Sequence, residues 1–267
     1  SFKLKTPGTV RLGFGSKEKL FKEIRKYGNE VLILTDGCMG AFREIFEGIF
    51  SLMQEYKINY TVENLTECSS IETVDELCRK YSGKKLNSIV AIGGEDVINS
   101  AKILKLVLSS KKESFEQMLS NIDHEFMDFN LPLVIMPTVA CVDRAVSAEA
   151  WFEINSPEHD YGSIKFLSLM PDIVIVDPEL CFSMPYEKIE TSCMYTLANL
   201  TEIYTSLQST VFSDLLALEG IEKLSPCLEY MENNDDMPDS LKENICYASL
   251  LAGIASQNVE QGIIKGL

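Results

Sequence analysis

Residues 93–96 read Gly-Gly-Glu-Asp and follow a compact apolar run at 88–92. A glycine pair between a buried strand and a helix lets backbone approach a phosphate, and the helix start offers unpaired N–H groups to it. The same four residues also suit an ordinary strand-to-helix turn whose acids stabilise the first helical turn. Imidazole chemistry has little to work with, because His124 and His159 are the only histidines and both sit in polar, loop-like surroundings. The eight cysteines are scattered through apparent helices and strands without a CxxC pair. They read as free thiols rather than as a disulfide framework.

The elements that must position the glycine pair alternate regularly. Runs at 31–35, 58–62 and 88–92 read as strands, each followed by helical periodicity at 39–56, 71–81 and 96–108. This β-α-β-α-β-α order predicts the doubly wound half of a dinucleotide-binding fold. The polar stretch 111–130 predicts a connecting helix or loop, and 133–136 a further strand. Residues 144–154 and 164–167 read as extended, and 172–176 as a buried strand. Beyond Pro185 the pattern turns helical, at 187–206, 212–224 and 240–264, with an acidic turn at 232–239. The expectation is an α/β Rossmann-like domain over 1–184, followed by an all-α domain over 185–267.

Composition bounds the partners. The chain has 267 residues, 46% of them hydrophobic, enough for a packed core. A net charge of -16 opposes attraction to nucleic acid or anionic membrane surfaces. No apolar run approaches the roughly 20 residues a spanning helix needs. Nothing reads as an export signal, so a cytoplasmic location is expected.

Other segments fall into order around the glycine pair. Residues 93–102 read GGEDVINSAK, 6–20 read TPGTVRLGFGSKEKL, and Thr35-Asp36 closes the first central strand. Pro137-Thr138 follows a later strand, 171–180 read PDIVIVDPEL, and 248–255 read ASLLAGIA. Together these resemble the iron-containing alcohol dehydrogenases and their glycerol dehydrogenase relatives across essentially the whole chain. The most specific match is PDIVIVDPEL. The resemblance implies a nucleotide-binding α/β domain, a helical domain with more helices than this chain supplies, and a divalent iron or zinc between them. It implies oxidation or reduction of small alcohols and aldehydes with NAD or NADP. Gly93, Gly94 and Thr138 then become cofactor-binding candidates, with Asp36 on the ribose. An acid at that strand end suits a ribose diol and disfavours the extra phosphate of NADP, and it equally suits a helix N-cap.

The resemblance breaks where chemistry would occur. The family pattern G-x-D-x-x-x-H-x-x-E falls on CMYTLANLTE at 193–202, placing Tyr195 at the aspartate and Asn199 at the histidine. A later metal histidine falls on Lys265. Phenol and ammonium groups, with ordinary pKa values near about 10, are poor cation ligands at neutral pH, so no resident metal is expected. Glu95 stands at the third glycine of the cofactor loop. A carboxylate about 4 Å from a phosphate costs about 4 kcal/mol at an effective dielectric near 20, against about 0.3–1 kcal/mol from a helix terminus. Unless Glu95 turns outward, cofactor binding weakens. The family's A-G-T-G-S-E becomes ACVDRA at 140–145, and Asp143 falls near an acid that meets substrate in the glycerol dehydrogenase branch.

Three functions stay open. One is NAD-linked hydride transfer to a small carbonyl compound, the activity the resemblance implies. A second is a catalytically silent homologue binding a ligand or partner in the interdomain cleft. A third is metal-free chemistry in that cleft using Tyr195, Lys265 or Asp143 as acid or base. Convergence of Tyr195, Asn199 and Lys265 on an open cleft would favour reuse; a filled cavity would favour silence. Helices lacking their usual neighbours are expected to expose Leu250, Leu251 and Ile254, which would call for a homo-oligomer or a partner chain.

Overall fold

A computed structural model describes residues 5–37, 43–66, 68–110, 112–120, 131–154, 160–231 and 237–259. Its centre is a six-stranded sheet of β1 (Thr9–Leu12), β2 (Glu30–Thr35), β3 (Asn59–Asn64), β4 (Ser88–Gly93), β5 (Leu133–Pro137) and, after a small hairpin, β8 (Ile173–Val176). The spatial order is β1-β8-β5-β4-β2-β3, and every pairing is parallel. The hairpin is β6 (Glu149–Glu153) with β7 (Tyr161–Lys165), paired antiparallel.

The inner strands are buried on both faces, which explains why they read as continuous apolar runs rather than as alternation. On one face, α3 (Ile71–Tyr81) and α4 (Glu95–Leu108) cover Leu32, Leu34, Ile89 and Ala91. On the other, α1 (Leu20–Ile24) and α2 (Arg43–Glu55) cover Val31, Ile33, Val90 and Ile92. The chain steps outward from β2 to β3, then returns to the far side of β2 as β4 and continues through β5 to β8. The strand order therefore reverses between β2 and β4, opening a crevice at their carboxyl ends where ligands bind in such sheets.

Several elements differ from the sequence expectation. The short α1 was not foreseen, and 111–130 contributes α5 (Phe115–Ser120) before passing outside the described residues. Asp143–Val146 forms a 3₁₀ turn rather than the start of an extended segment, with the Ala145 N–H donating to the Val142 carbonyl. After β8, the short α6 (Pro178–Cys181) is capped by Asp177, which accepts from the Glu179 N–H at 3.1 Å.

Three longer helices follow: α7 (Tyr186–Thr205), α8 (Val211–Met231) and α9 (Asp239–Ser256). They enclose their own apolar cluster, built on Cys193, Leu200, Ala217, Leu224, Ala248 and Ala252. Helix α8 runs past Leu224 through Pro226, because packing against α7 and α9 outweighs the one hydrogen bond a proline removes. Gly220 lets α8 approach α7 closely: a Cβ there would stand 2.7 Å from Leu200. Leu250 and Leu251 are buried, not exposed, because α9 packs against both α8 and the sheet domain, and Ile254 is half-buried against the same core. Exposed apolar side chains lie instead at the α7–α8 connection, where Leu207, Val211 and Leu215 face outward. Among the described residues, no helix is long and apolar enough to cross a membrane.

Candidate active site

The glycine pair sits at the crevice. Asp36, just beyond β2, accepts a hydrogen bond from the Gly94 N–H at 2.9 Å, and the Thr138 N–H donates to the Gly93 carbonyl at 3.1 Å. The end of β4 is thus tied to β2 through the Asp36 side chain and to β5 through backbone. A Cβ at Gly93 would stand 2.7 Å from Val97 and 2.9 Å from the Asp36 carboxylate, so only glycine fits. No side chain caps the first turn of α4, leaving its amides toward the crevice. Asp36 is exposed while Thr138 is buried, so Thr138 serves the loop through its backbone.

Glu95 keeps about half of its side chain exposed and is tied to the 140–148 segment. Its Oε1 accepts from Arg144 Nε at 3.0 Å. Burial pushes the carboxyl up from its usual range, the Arg144 charge opposes that, and Asp143 reinforces it. Burial works against the Arg144 cation as well, but Asp143 and Glu95 more than offset it and hold the guanidinium charged. The repulsion expected from Glu95 is therefore answered by a cation brought from the 140–148 segment.

That segment is gripped from two sides. The ammonium of Lys102, fully buried on α4, donates to the carbonyls of Arg144 at 2.6 Å, Ser147 at 2.8 Å and Glu149 at 3.0 Å. From α9, Ser249 Oγ accepts from the Val142 N–H at 2.8 Å and Gln257 Oε1 from the Ala148 N–H at 2.8 Å. Between them Gly253 lies so close that a Cβ would meet the Asp143 backbone at 2.7 Å. Spacing of four places all three on one face of the helix. The Arg144 guanidinium finally lies 5.1 Å from the centre of the Trp151 ring.

Between this segment and α7 opens a cavity of about 460 Å³ lined by Glu95, Cys141, Arg144, Lys188, Ser192 and Tyr195. The Tyr195 phenol is pushed up by burial first and by the Asp143 carboxylate next, with Arg144 opposing, so it is a neutral donor at neutral pH. Its hydroxyl is buried and has no hydrogen-bond partner among the described residues, and neither has Nδ2 of Asn199 one turn further along α7. Asp143 is buried behind the cavity wall, where its carboxylate accepts from the Cys141 thiol at 3.1 Å. Lys265 and both histidines lie outside the described residues. Of the two predicted catalytic residues that are described, Tyr195 lines the cavity and Asp143 does not. Arg144, Lys188, Lys102, Trp151 and the Ser249–Gly253–Gln257 face were not foreseen in these roles.

A divalent cation does not suit these residues. The Tyr195 phenol stays protonated, and burial followed by Asp143 pushes the Cys141 thiol well above its ordinary range. Among the described residues no three of His, Cys, Asp and Glu come together as a ligand set. A dinucleotide suits the glycine turn better, since the loop, the open amides and Asp36 share one crevice.

The sequence model of the iron-containing alcohol dehydrogenases matches residues 7–178. An alcohol dehydrogenase of Thermococcus barophilus is 28% identical over 275 residues, covering 100% of this chain and 69% of that protein. An NADPH-dependent butanol dehydrogenase of Clostridium saccharobutylicum is 25% identical, covering 98% of this chain and 66% of that protein. The crystal structure of an iron-containing alcohol dehydrogenase from Thermotoga maritima superposes with a TM-score of 0.83 at 23% identity, over 98% of this chain and 70% of that one. The chain thus spans from 66% to 70% of the length of these three. With the family match covering most of the doubly wound domain, the chain belongs to the iron-containing alcohol dehydrogenase family.

Proposed function

We propose that the cleft between the glycine turn and α7 carries out dinucleotide-linked interconversion of a small carbonyl compound and its alcohol, with NAD preferred. The observation that carries this is the alignment of Asp36, Gly93-Gly94 and the open start of α4 along the crevice that leads into the cavity at Tyr195. A reduced dinucleotide held along Asp36, Gly93 and Gly94 would supply a hydride to the carbonyl carbon. The alkoxide so formed is more basic than a phenolate, so even a phenol whose pKa is raised can give it a proton. Tyr195 donates that proton from Oη, Arg144 stabilises the resulting phenolate, and solvent restores the proton through the open side of the cavity. The relative described as NADPH-dependent supports a nicotinamide cofactor; Asp36 favours the form without the ribose phosphate.

Trp151 gives the test, because its ring contacts the guanidinium that pairs with Glu95 at the glycine turn. Titration with NADH is expected to change Trp151 fluorescence at micromolar concentration, with NADPH weaker and added zinc or ferrous iron without effect. Failure of both nucleotides to bind overturns the proposal, and enhancement by metal overturns its metal-free form.

A further inference from the structure

Arg144 sits at the glycine turn, but little of what fixes it there belongs to the turn. Its side chain reaches Glu95, the first residue of α4. Its backbone lies in the 140–148 segment, which threads between the two cores: Ala140 packs in the helical cluster, while Val142, Ala145 and Val146 pack in that of the sheet domain. The polar groups of the segment are divided in the same way. Lys102 of α4 takes the carbonyls of Arg144, Ser147 and Glu149. Ser249 and Gln257 of α9 take the amides of Val142 and Ala148, one on either side of Arg144 in the chain.

Helix α9 turns three faces to three neighbours. Ile245, Ala248, Ala252 and Ala255 enter the helical cluster, Cys246 and Leu250 that of the sheet domain, and Ser249, Gly253 and Gln257 meet the segment. Ser249 is fully buried and Gln257 nearly so, which keeps both hydrogen bonds away from water. An amide buried without an acceptor is costly. A shift of α9 therefore draws the segment with it, because letting go would strand both amides. Arg144, between them, moves with the segment and away from Glu95. Ser249 also donates to Cys141 Sγ at 3.9 Å, so the same helix touches the cavity wall. The consequence at the turn is electrostatic. Without the guanidinium, Glu95 is an unanswered negative charge beside the place proposed for the phosphates of the dinucleotide.

We infer that Ser249 and Gln257 are positioning residues for the cofactor. From the helical domain they hold Arg144 at the glycine turn, so nucleotide affinity depends on how α9 is docked, and nucleotide binding in turn tightens that docking. Neither residue lines the cavity; both act through Arg144. The inference rests on the proposed cofactor site.

The test compares Ser249→Ala and Gln257→Met with Ile245→Val, a change on α9 within the helical cluster. Trp151, the sole tryptophan, reports on Arg144, whose guanidinium lies 5.1 Å from its ring. In the nucleotide-free chain Ser249→Ala and Gln257→Met are expected to shift Trp151 emission, and each to weaken NADH about ten-fold, the effect of losing one charge-assisted contact. Ile245→Val is expected to lower the urea midpoint as they do, yet to leave emission and NADH affinity unchanged. In the reverse direction, saturating NADH is expected to slow hydrogen exchange several-fold in a peptide spanning 140–148 of the unaltered chain, a measurement that needs no variant to fold. NADH affinity unchanged in both Ser249→Ala and Gln257→Met, or weakened equally by Ile245→Val, overturns the inference. So does exchange in 140–148 that bound NADH leaves unaltered. If NADH fails to bind the unaltered chain, the proposed function falls and Trp151 emission alone decides. A shift in Ser249→Ala and Gln257→Met but not in Ile245→Val keeps α9 as the element that positions Arg144, and no shift removes it.

Discussion

The carboxylate of Asp36 accepts a hydrogen bond from the Gly94 N–H at 2.9 Å, across the crevice where the strand order reverses. The carboxylate thereby braces the glycine turn, a role the sequence did not suggest, and the proposed cofactor site places the same acid at the ribose. Asp36→Ala is expected to weaken NADH about ten-fold or more, the loss of a charge-assisted bond, and to weaken NADPH less. Equal losses for both nucleotides would reduce Asp36 to a brace, and an unchanged NADH affinity would remove it from the cofactor site.

Tyr195 carries an internal trade. Its buried hydroxyl has no partner among the described residues, so Tyr195→Phe is expected to leave stability unchanged or raise it by about 1 kcal/mol. Urea denaturation midpoints of the two proteins measure this, and the same variant is expected to lose carbonyl reduction. A loss of more than about 1 kcal/mol would mean that the hydroxyl has a partner within the fold.

Gly253 decides how α9 holds the 140–148 segment. A Cβ there meets Val146 Cγ2 at 2.5 Å and the Asp143 backbone at 2.7 Å, and backbone cannot yield as a flexible side chain would. Gly253→Ala is expected to cost about 1–3 kcal/mol and to shift Trp151 fluorescence as Arg144 moves. Gly48, in α2 with open space around its Cβ position, is the control. Gly48→Ala is expected to stabilise by about 0.5–1 kcal/mol. Equal effects at the two positions would show that packing at Gly253 is not tight.

What was legible in the sequence follows from how each element is stabilised. Strands buried on both faces, such as β2 and β4, announce themselves as apolar runs, and α3 announces itself by the helical spacing of 71–81, while its cap, the Ser70 hydroxyl accepting from the Thr73 N–H, was not read. The 3₁₀ turn at Asp143–Val146 was hidden because Ala and Val read equally well as strand, and tertiary grips from Lys102 and α9 decide its shape. Ser249, Gly253 and Gln257 were invisible as site residues because small and polar residues at helical spacing are common. Leu250 and Leu251 appeared to need covering only because the sequence does not say that α9 serves two cores at once. The pairing of Glu95 with Arg144 joins residues 49 apart, and no local pattern encodes it.

The pH dependence of folding has a specific carrier far from the cleft. Glu23 is fully buried; its Oε1 accepts from Arg11 at 2.9 and 2.6 Å, and its other oxygen pairs with Lys26. Burial alone would raise the carboxyl, but the hydrogen bonds from Lys26 and Arg11 and their charges win, so it titrates below the usual carboxylate range. A depressed folded pKa means that the ion pair's stability is fully present above the unfolded value of about 4.3 and is lost as pH falls through the lower folded value. Both cations are partly exposed, so Glu23→Gln is expected to cost about 1–2 kcal/mol at pH 7 after allowing for solvent screening. Urea midpoints of the two proteins should converge as pH is lowered below about 4. A gap that stays constant through that range would assign the effect of Glu23 to packing and not to its charge.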